Sequence, residues 1–514
     1  MRLVLLASLI SSSLALQLPF KVPFFQKAFS VEDDDSVHDT PRIAIIGAGA
    51  AGSSAAFWIS KAQERFGVNV EIDVYERSSY VGGRSTTVYP HDDPSLPPVE
   101  LGASIYVQSN KNMVKAAEAF NLSTKSFTDE EGSFGIWDGE QVIVQASGSW
   151  WDTLKLVWRY GVMSPRRVDS TVQDTVKQFL TLYSPQAPKW DNITDLAASF
   201  GWADAIQNTA SDFFKSKGVS EQYIYEVLES STRVNYAQNI DKIHALEGTV
   251  SMAADKATSI KDGNWRVFEN FLNHSKATVY LNTSVHGVSQ TTSSSRPWLV
   301  TSDKGSTRYR GVILAAPFHQ TGIKLPSALS SQIPEQPYVH LHVTLLTTSS
   351  PHMSSEYLNM APNTKPPSML LTTWNGARQG LKAPEFNSIS YHGKINEDEW
   401  VVKIFSMEAV EDEWLNSMFD GNVSWVYRKE WDAYPVLPPT TEFPPVKLDT
   451  GFYYVNAFEP FISTMETETI AARNVVDLLL NEQFRSSICG SRISASEQDI
   501  KKTSDDGFVF GWDC

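Results

Sequence analysis

A short apolar run, Ile43-Ala44-Ile45-Ile46, leads straight into the glycine-spaced turn Gly47-Ala48-Gly49-Ala50-Ala51-Gly52. Small residues then continue to about Glu64, and a second strand-like segment, Val68 to Tyr75, alternates Val70, Ile72 and Val74 before ending on Glu76. That order restricts this part of the chain to a strand–turn–helix–strand crossover of a parallel α/β sheet. Each part suits a dinucleotide. Gly47 gives the tight turn, Gly49 admits the pyrophosphate close to the backbone, and Gly52 lets the helix settle on the sheet. The helix N-terminus around Ala48 and Ala50 offers unpaired N–H groups to phosphate, and Glu76 accepts from a ribose. The unit alone does not separate NAD from FAD.

The rest of the chain sets the context. Its 514 residues exceed one ordinary core, so two domains are expected. With 43 basic against 59 acidic residues, net −16, nucleic-acid binding is not its main task. Met1-Arg2, the apolar Leu3–Ile10 and the small residues to Ala15 read as a secretory signal over residues 1–15, followed by a flexible lead-in over 16–40. No later stretch reads as a transmembrane helix. Asn-x-Ser/Thr acceptors at Asn121, Asn192, Asn273, Asn282 and Asn422 fit glycosylation on a secretory route ending in a lysosome, a vacuole or outside the cell. Of the two cysteines, Cys489 and Cys514, two readings stand: a disulfide stapling the tail 486–514, or two unpaired thiols. No His/Cys/Glu cluster has metal-ligand spacing.

Beyond Glu76 the chain reads Arg77-Ser78-Ser79-Tyr80-Val81-Gly82-Gly83-Arg84, then Glu100-Leu101-Gly102-Ala103-Ser104. The glycine pair lets a loop pass close to a cofactor, and Arg84 is expected to reach its pyrophosphate. Together these motifs resemble the FAD-dependent amine oxidase superfamily, which decides for FAD over NAD. The resemblance implies an α/β fold, with a Rossmann-like FAD-binding domain of the glutathione reductase/amine oxidase type interleaved with an α+β substrate domain. The cofactor domain is expected over 41–110, 275–320 and 446–485, and the substrate domain over 111–274 and 321–445. The resemblance places Val285 at the adenine end, and Glu459 and Met465 are expected beside the flavin. A helix from Ile470 to Leu480 either aims its N-terminus at the flavin or is a plain amphipathic helix.

A finer pattern narrows the family. Thr232-Arg233-Val234-Asn235-Tyr236, Asp262-Gly263-Asn264, and the ending Phe452-Tyr453-Tyr454-Val455-Asn456 through Glu459 to Met465-Glu466-Thr467-Glu468 and Ala471-Ala472-Arg473-Asn474 resemble prenylcysteine oxidase (prenylcysteine lyase) over residues 41–485. That family's activity implies a prenylcysteine substrate and dioxygen as second substrate; with no transmembrane segment in the sequence, any membrane contact is expected to be peripheral. The residues leave the catalytic roles open. Arg233 is a candidate for the substrate carboxylate or a structural ion pair. Tyr236 lines the pocket or fills core. Glu459 sits by the flavin or caps a helix. His244, His340 and His342 are candidate bases or structural histidines. Two other classes share parts of the pattern: a flavin oxidase of polyamines or L-amino acids, and a non-enzymatic prenyl carrier resembling the Rab GDP-dissociation inhibitors.

Overall fold

The structure is a computed structural model that describes residues 40–126, 133–146, 150–254, 256–361, 364–490 and 507–514. The expected signal and lead-in over 1–39, and most of the tail 491–506, lie outside the described residues.

Strand β1 (Arg42–Ile46) and strand β2 (Glu71–Tyr75) flank helix α1 (Ala50–Phe66). They pair in parallel, Ile43 against Ile72 and Ile46 against Tyr75. Four more strands complete a six-stranded sheet in the order Lys447–Asp449, Phe452–Tyr454, Gly311–Leu314, β1, β2, Thr278–Tyr280, all parallel except the first. The sheet therefore collects strands from three separated stretches of chain. Parallel strands carry no tight hairpin between them, so the intervening chain must leave and return, and here it leaves to build the second layer. β2 is shorter than the sequence pattern suggests, because Gly67 ends α1 in a left-handed conformation and the chain uses 68–70 to turn back.

The two inserts build one structure between them. The first carries helix α2 (Trp150–Tyr160) and helix α3 (Met163–Leu180). The second carries the long strands β3 (Tyr338–Thr348) and β4 (Val423–Pro435), which pair antiparallel. They head a seven-stranded sheet that continues through Trp400–Ser406, Ser388–Lys394 and Met369–Thr372 to Phe134–Trp137 and Val142–Ala146 of the first insert. The closing helix α4 (Met465–Phe484) is buried on almost every side and lies against α1. It starts five residues before the sequence pattern suggests, because Thr464 and Thr467 form a reciprocal capping box. An amphipathic surface helix is excluded by that burial.

Cys489 and Cys514 are paired. The tail they hold lays Trp512 against Phe57, Trp58, Phe120 and Phe271 at the back of α1. Among the described residues, no helix is long and apolar enough to cross a membrane.

Candidate active site

A cavity of about 1610 Å³ runs between the two layers. A single drug-sized ligand needs about 300–1,000 Å³, so this space suits a large cofactor and a substrate together. Its floor is the glycine turn. Gly47 has φ +107°, and a Cβ there would lie 2.4 Å from the Ala315 carbonyl oxygen. A Cβ on Gly52 would lie 1.9 Å from the Gly47 oxygen, so this residue is glycine for packing rather than for contact with a ligand. Gly49 is the N-cap of α1 and has no side chain to satisfy the first-turn N–H groups, which leaves them for an anion. Glu76 accepts from the Ala48 N–H at 2.9 Å and from the Ser78 N–H at 2.8 Å, which fixes its carboxylate at the end of β2 on the cavity wall.

Of the residues that the sequence assigns to the cofactor, Gly47, Gly49, Ala50, Glu76, Arg77, Gly83, Arg84, Gly102, Ala103, Ser104, Val285, Glu459 and Met465 line this cavity. Ala48 and Gly52 stand behind it. Arg84 lines the cavity, and two arms of its guanidinium also contact protein. Nη2 lies 2.5 Å from Glu459 Oε1 as an ion pair, without hydrogen-bond alignment, and Nη1 donates to the Ala433 carbonyl at 2.9 Å. Burial works against its charge, and Glu459 more than restores it, so its pKa is raised. Glu459 in turn accepts from Tyr338 Oη at 2.7 Å and Asn456 Nδ2 at 3.1 Å. It is the centre of a network on the cavity wall, not a helix cap.

The catalytic candidates divide. Tyr236 lines the cavity and is hydrogen-bonded to Glu247, whose carboxyl burial pushes up to about 8. Arg233 does not line it. Its three nitrogens donate to Thr372, Asn239 and Asn387 at 2.7–2.9 Å, and Trp374 covers the guanidinium, so no arm is left for a substrate carboxylate. Burial lowers its pKa to about 10. His244 is also structural. It caps the helix Ala245–Met252 by accepting from the Glu247 N–H at 3.2 Å, and burial pushes its pKa down to about 4. His340 and His342 do not line the cavity; they lie beside Glu430 and Asp432 of β4, of which Asp432 reaches the cavity rim. That pairing of β3 with β4 gathers His340, His342 and Glu430 with ligand atoms within 4.8 Å of one another, a grouping that sequence spacing does not show because Glu430 comes from another strand.

Residues missed in the sequence complete the site. Lys403 sits in the apolar strand Trp400–Ser406, and that lone charge was the available signal. Its Nζ donates to Ser104 Oγ at 2.7 Å and to the Glu100 carbonyl at 3.1 Å. Burial pushes the ammonium down to about 8 against the attraction of Glu100, whose own carboxyl burial raises to about 7. Burial, and then the charge of Lys403, push the pKa of His392, on the adjacent strand, well below its ordinary value. Both oxygens of Glu468 are buried without a hydrogen-bond partner, and burial together with Glu459 raises its pKa well above the usual range. Ser85 Oγ, Trp431 Nε1 and Asn456 Oδ1 are likewise buried, unpartnered and on this cavity. Buried polar groups are almost always satisfied, so this concentration marks a place where a polar ligand belongs.

Comparison with known proteins agrees with the geometry. The prenylcysteine lyase family model matches residues 143–488, and an NAD(P)-binding Rossmann-like domain model matches 45–120. The chain belongs to the prenylcysteine lyase family. It is 29% identical to farnesylcysteine lyase of Arabidopsis thaliana over 92% of this chain and 94% of that protein. It is 28% identical to prenylcysteine oxidase 1 of Homo sapiens over 84% and 87%. Among solved structures, wild-type putrescine oxidase bound to putrescine superposes with TM-score 0.59 at 13% identity, covering 85% of this chain and 99% of that one. A putative protoporphyrinogen oxidase from Exiguobacterium gives 0.56 at 14%, covering 87% and 100%. Those two likenesses concern the fold. The cofactor of this family member is FAD, and the protein is an FAD-dependent oxidoreductase. Its residues fit the group: a turn in which Gly47 and Gly52 leave no room for a Cβ, an uncapped helix N-terminus at Gly49 and a fixed carboxylate at the strand end.

Proposed function

We propose that this protein cleaves S-prenyl-cysteine, carrying a farnesyl or geranylgeranyl chain, with dioxygen and water to free cysteine, the isoprenoid aldehyde and hydrogen peroxide, as a step in degrading prenylated proteins. The observation that carries this reading is the continuity of the cavity. From the dinucleotide end it extends along an apolar wall of Val168, Val172, Val176, Phe179, Leu371 and Phe405, drawn from both inserts. Such a wall suits an isoprenoid tail, and the unpartnered Glu468 oxygens suit the ammonium of the cysteine head.

FAD, when bound, supplies hydride acceptance from the carbon attached to sulfur and passes the electrons to dioxygen. The chain's own groups position the substrate and exclude bulk water around that carbon. Lys403, a cavity-wall ammonium whose Nζ donates to Ser104 Oγ and the Glu100 carbonyl, is assigned the orientation of the attacking water by donating a hydrogen bond to it. Glu459, Arg84 and Tyr338 keep the far wall rigid.

Peroxide release by the purified flavoprotein tests this. Farnesylcysteine is expected to be turned over, with putrescine and free L-amino acids giving none. Turnover of an amine but not of farnesylcysteine would sink the reading, and a colourless, inactive protein would favour a carrier. We also place the protein on the secretory route to a lysosome, a vacuole or the exterior, making peripheral contact with membranes. The N-terminal apolar run, the cystine and the exposed side of all five acceptor asparagines support this. Cell fractionation and a mass shift on deglycosylation check it.

A further inference from the structure

Among the described residues, the most exposed large apolar side chains cluster on α2 and the turn that follows it. Trp150, Trp151, Leu154, Val157 and Trp158 are all exposed, Trp158 to 90%. Their spacing of i, i+1, i+4, i+7 and i+8 places them on one face of the helix. Val162 and Met163 extend the face into the turn. The opposite face of α2 is firmly attached. Leu156 and Tyr160 pack with Ile136, Val144, Tyr223 and Val227, and Glu226 accepts from Arg159 Nε at 2.7 Å, Arg159 Nη2 at 2.9 Å and Tyr160 Oη at 2.7 Å. The solvent-facing tryptophans are therefore held outward by a fixed helix.

The sequence around this face is locally basic. Between Trp150 and Arg167 stand four basic residues, Lys155, Arg159, Arg166 and Arg167, and one acidic residue, Asp152, in a chain of net −16; Arg159 is paired with Glu226 and Lys155 with Asp152, so Arg166 and Arg167 carry the surplus charge. Lys155, Arg166 and Arg167 are exposed. Exposed tryptophans beside cations on an otherwise acidic protein match the water–lipid boundary of an anionic bilayer: indole rings seat at headgroup depth, and Lys and Arg meet the lipid charge. The face also adjoins the cavity. Tyr223 and Val227, which α2 packs on, are wall residues, and α3, which begins at the patch, contributes Val168, Val172, Val176 and Phe179.

We infer that the α2–α3 corner is a membrane-docking surface, with which the protein lies on an anionic lipid surface and takes its amphiphilic substrate from that surface into the cavity. The docking stands on the surface itself; the uptake rests on the prenylcysteine reading above.

Flotation of the full-length flavoprotein with vesicles tests it. The protein is expected to float with phosphatidylcholine vesicles containing a quarter phosphatidylserine, and more weakly with phosphatidylcholine alone. Trp150→Ser with Trp158→Ser is expected to lower the bound fraction about tenfold while flavin absorbance and peroxide release from dispersed farnesylcysteine stay unchanged. Lys155→Glu with Arg166→Glu, at solvent-exposed sites, is expected to abolish the preference for phosphatidylserine, as is 0.5 M salt. Wild type that stays with the soluble fraction, variants that float like wild type, or tryptophan variants that alter only self-association in sedimentation would each overturn the proposal. Vesicle binding is read without substrate, so flotation without farnesylcysteine turnover would overturn the substrate reading and leave the docking surface standing.

Discussion

Gly52 and Arg233 show what single residues contribute here. A methyl on Gly52 has no space beside the Gly47 oxygen, so Gly52→Ala must displace α1 from β1. We expect a loss of roughly 1–3 kcal/mol of stability, with the 450 nm flavin band of the purified protein much reduced. Arg233 is the opposite case: it looks like a substrate ligand in sequence and proves to be a clasp between the helix Glu229–Tyr236 and the second sheet. Arg233→Met would leave acceptors on Asn239, Asn387 and Thr372 without a donor, at about 1–3 kcal/mol for each that stays dry. The expected result is a clear fall in melting temperature, with KM for farnesylcysteine unchanged in the fraction that folds. A KM rise of tenfold or more with the melting temperature intact would return Arg233 to the substrate site.

Among the elements, the helix Ala245–Met252 carries a pH dependence. Its N-cap, His244, is buried, and its pKa falls from the ordinary 6.5 to about 4. Between those values the unfolded chain binds a proton that the fold does not, so stability is lost as pH falls from about 6.5 towards 4. The size is on the order of 3 kcal/mol. Buried carboxyls with raised pKa, such as Glu247 and Glu100, contribute the opposite slope, so the contribution of His244 is read as a difference: His244→Asn, which keeps a capping side chain, is expected to lose less stability than wild type from pH 7 to 4. An unchanged slope would place the acid sensitivity elsewhere. α4 opens with a capping box that fixes Thr464 and Thr467, and its first residues, Met465 and Glu466, line the cavity.

At the scale of the molecule, the chain's end closes the cofactor domain. The cystine joins residues 25 apart in sequence, and Arg473 Nη1 donates to the Phe510 carbonyl at 2.7 Å while Trp512 covers Phe57 and Trp58. Cys514→Ser is expected to cost about 3 kcal/mol through the freed unfolded chain. It should lower the melting temperature under oxidising conditions to that of reduced wild type. Equal melting of oxidised wild type and variant would show that the tail's packing, not the cystine, closes the domain.

The glycine turn, Glu76, the Gly82-Gly83-Arg84 step and the strand at Val312–Leu314 were legible in the sequence, because each is a local demand of backbone geometry or burial that residues within a few positions must meet. From them came the Rossmann-like sheet, and thirteen of the fifteen residues assigned to the cofactor line the cavity. The roles of Arg233, His244, His340 and His342 were not legible, since a charged or imidazole side chain is structural or functional according to partners 100 or more residues away or on an adjoining strand. Lys403 reaches Ser104, Arg84 reaches Glu459, and Glu468 is left without a partner only once three separated segments meet. The sequence by itself determined the glycine turn and the strand-end carboxylate that suit a dinucleotide. Which buried charges face it, and which face of α2 remains in water, were decided by the tertiary structure, because burial and pairing are properties of the assembled layers and not of any one stretch.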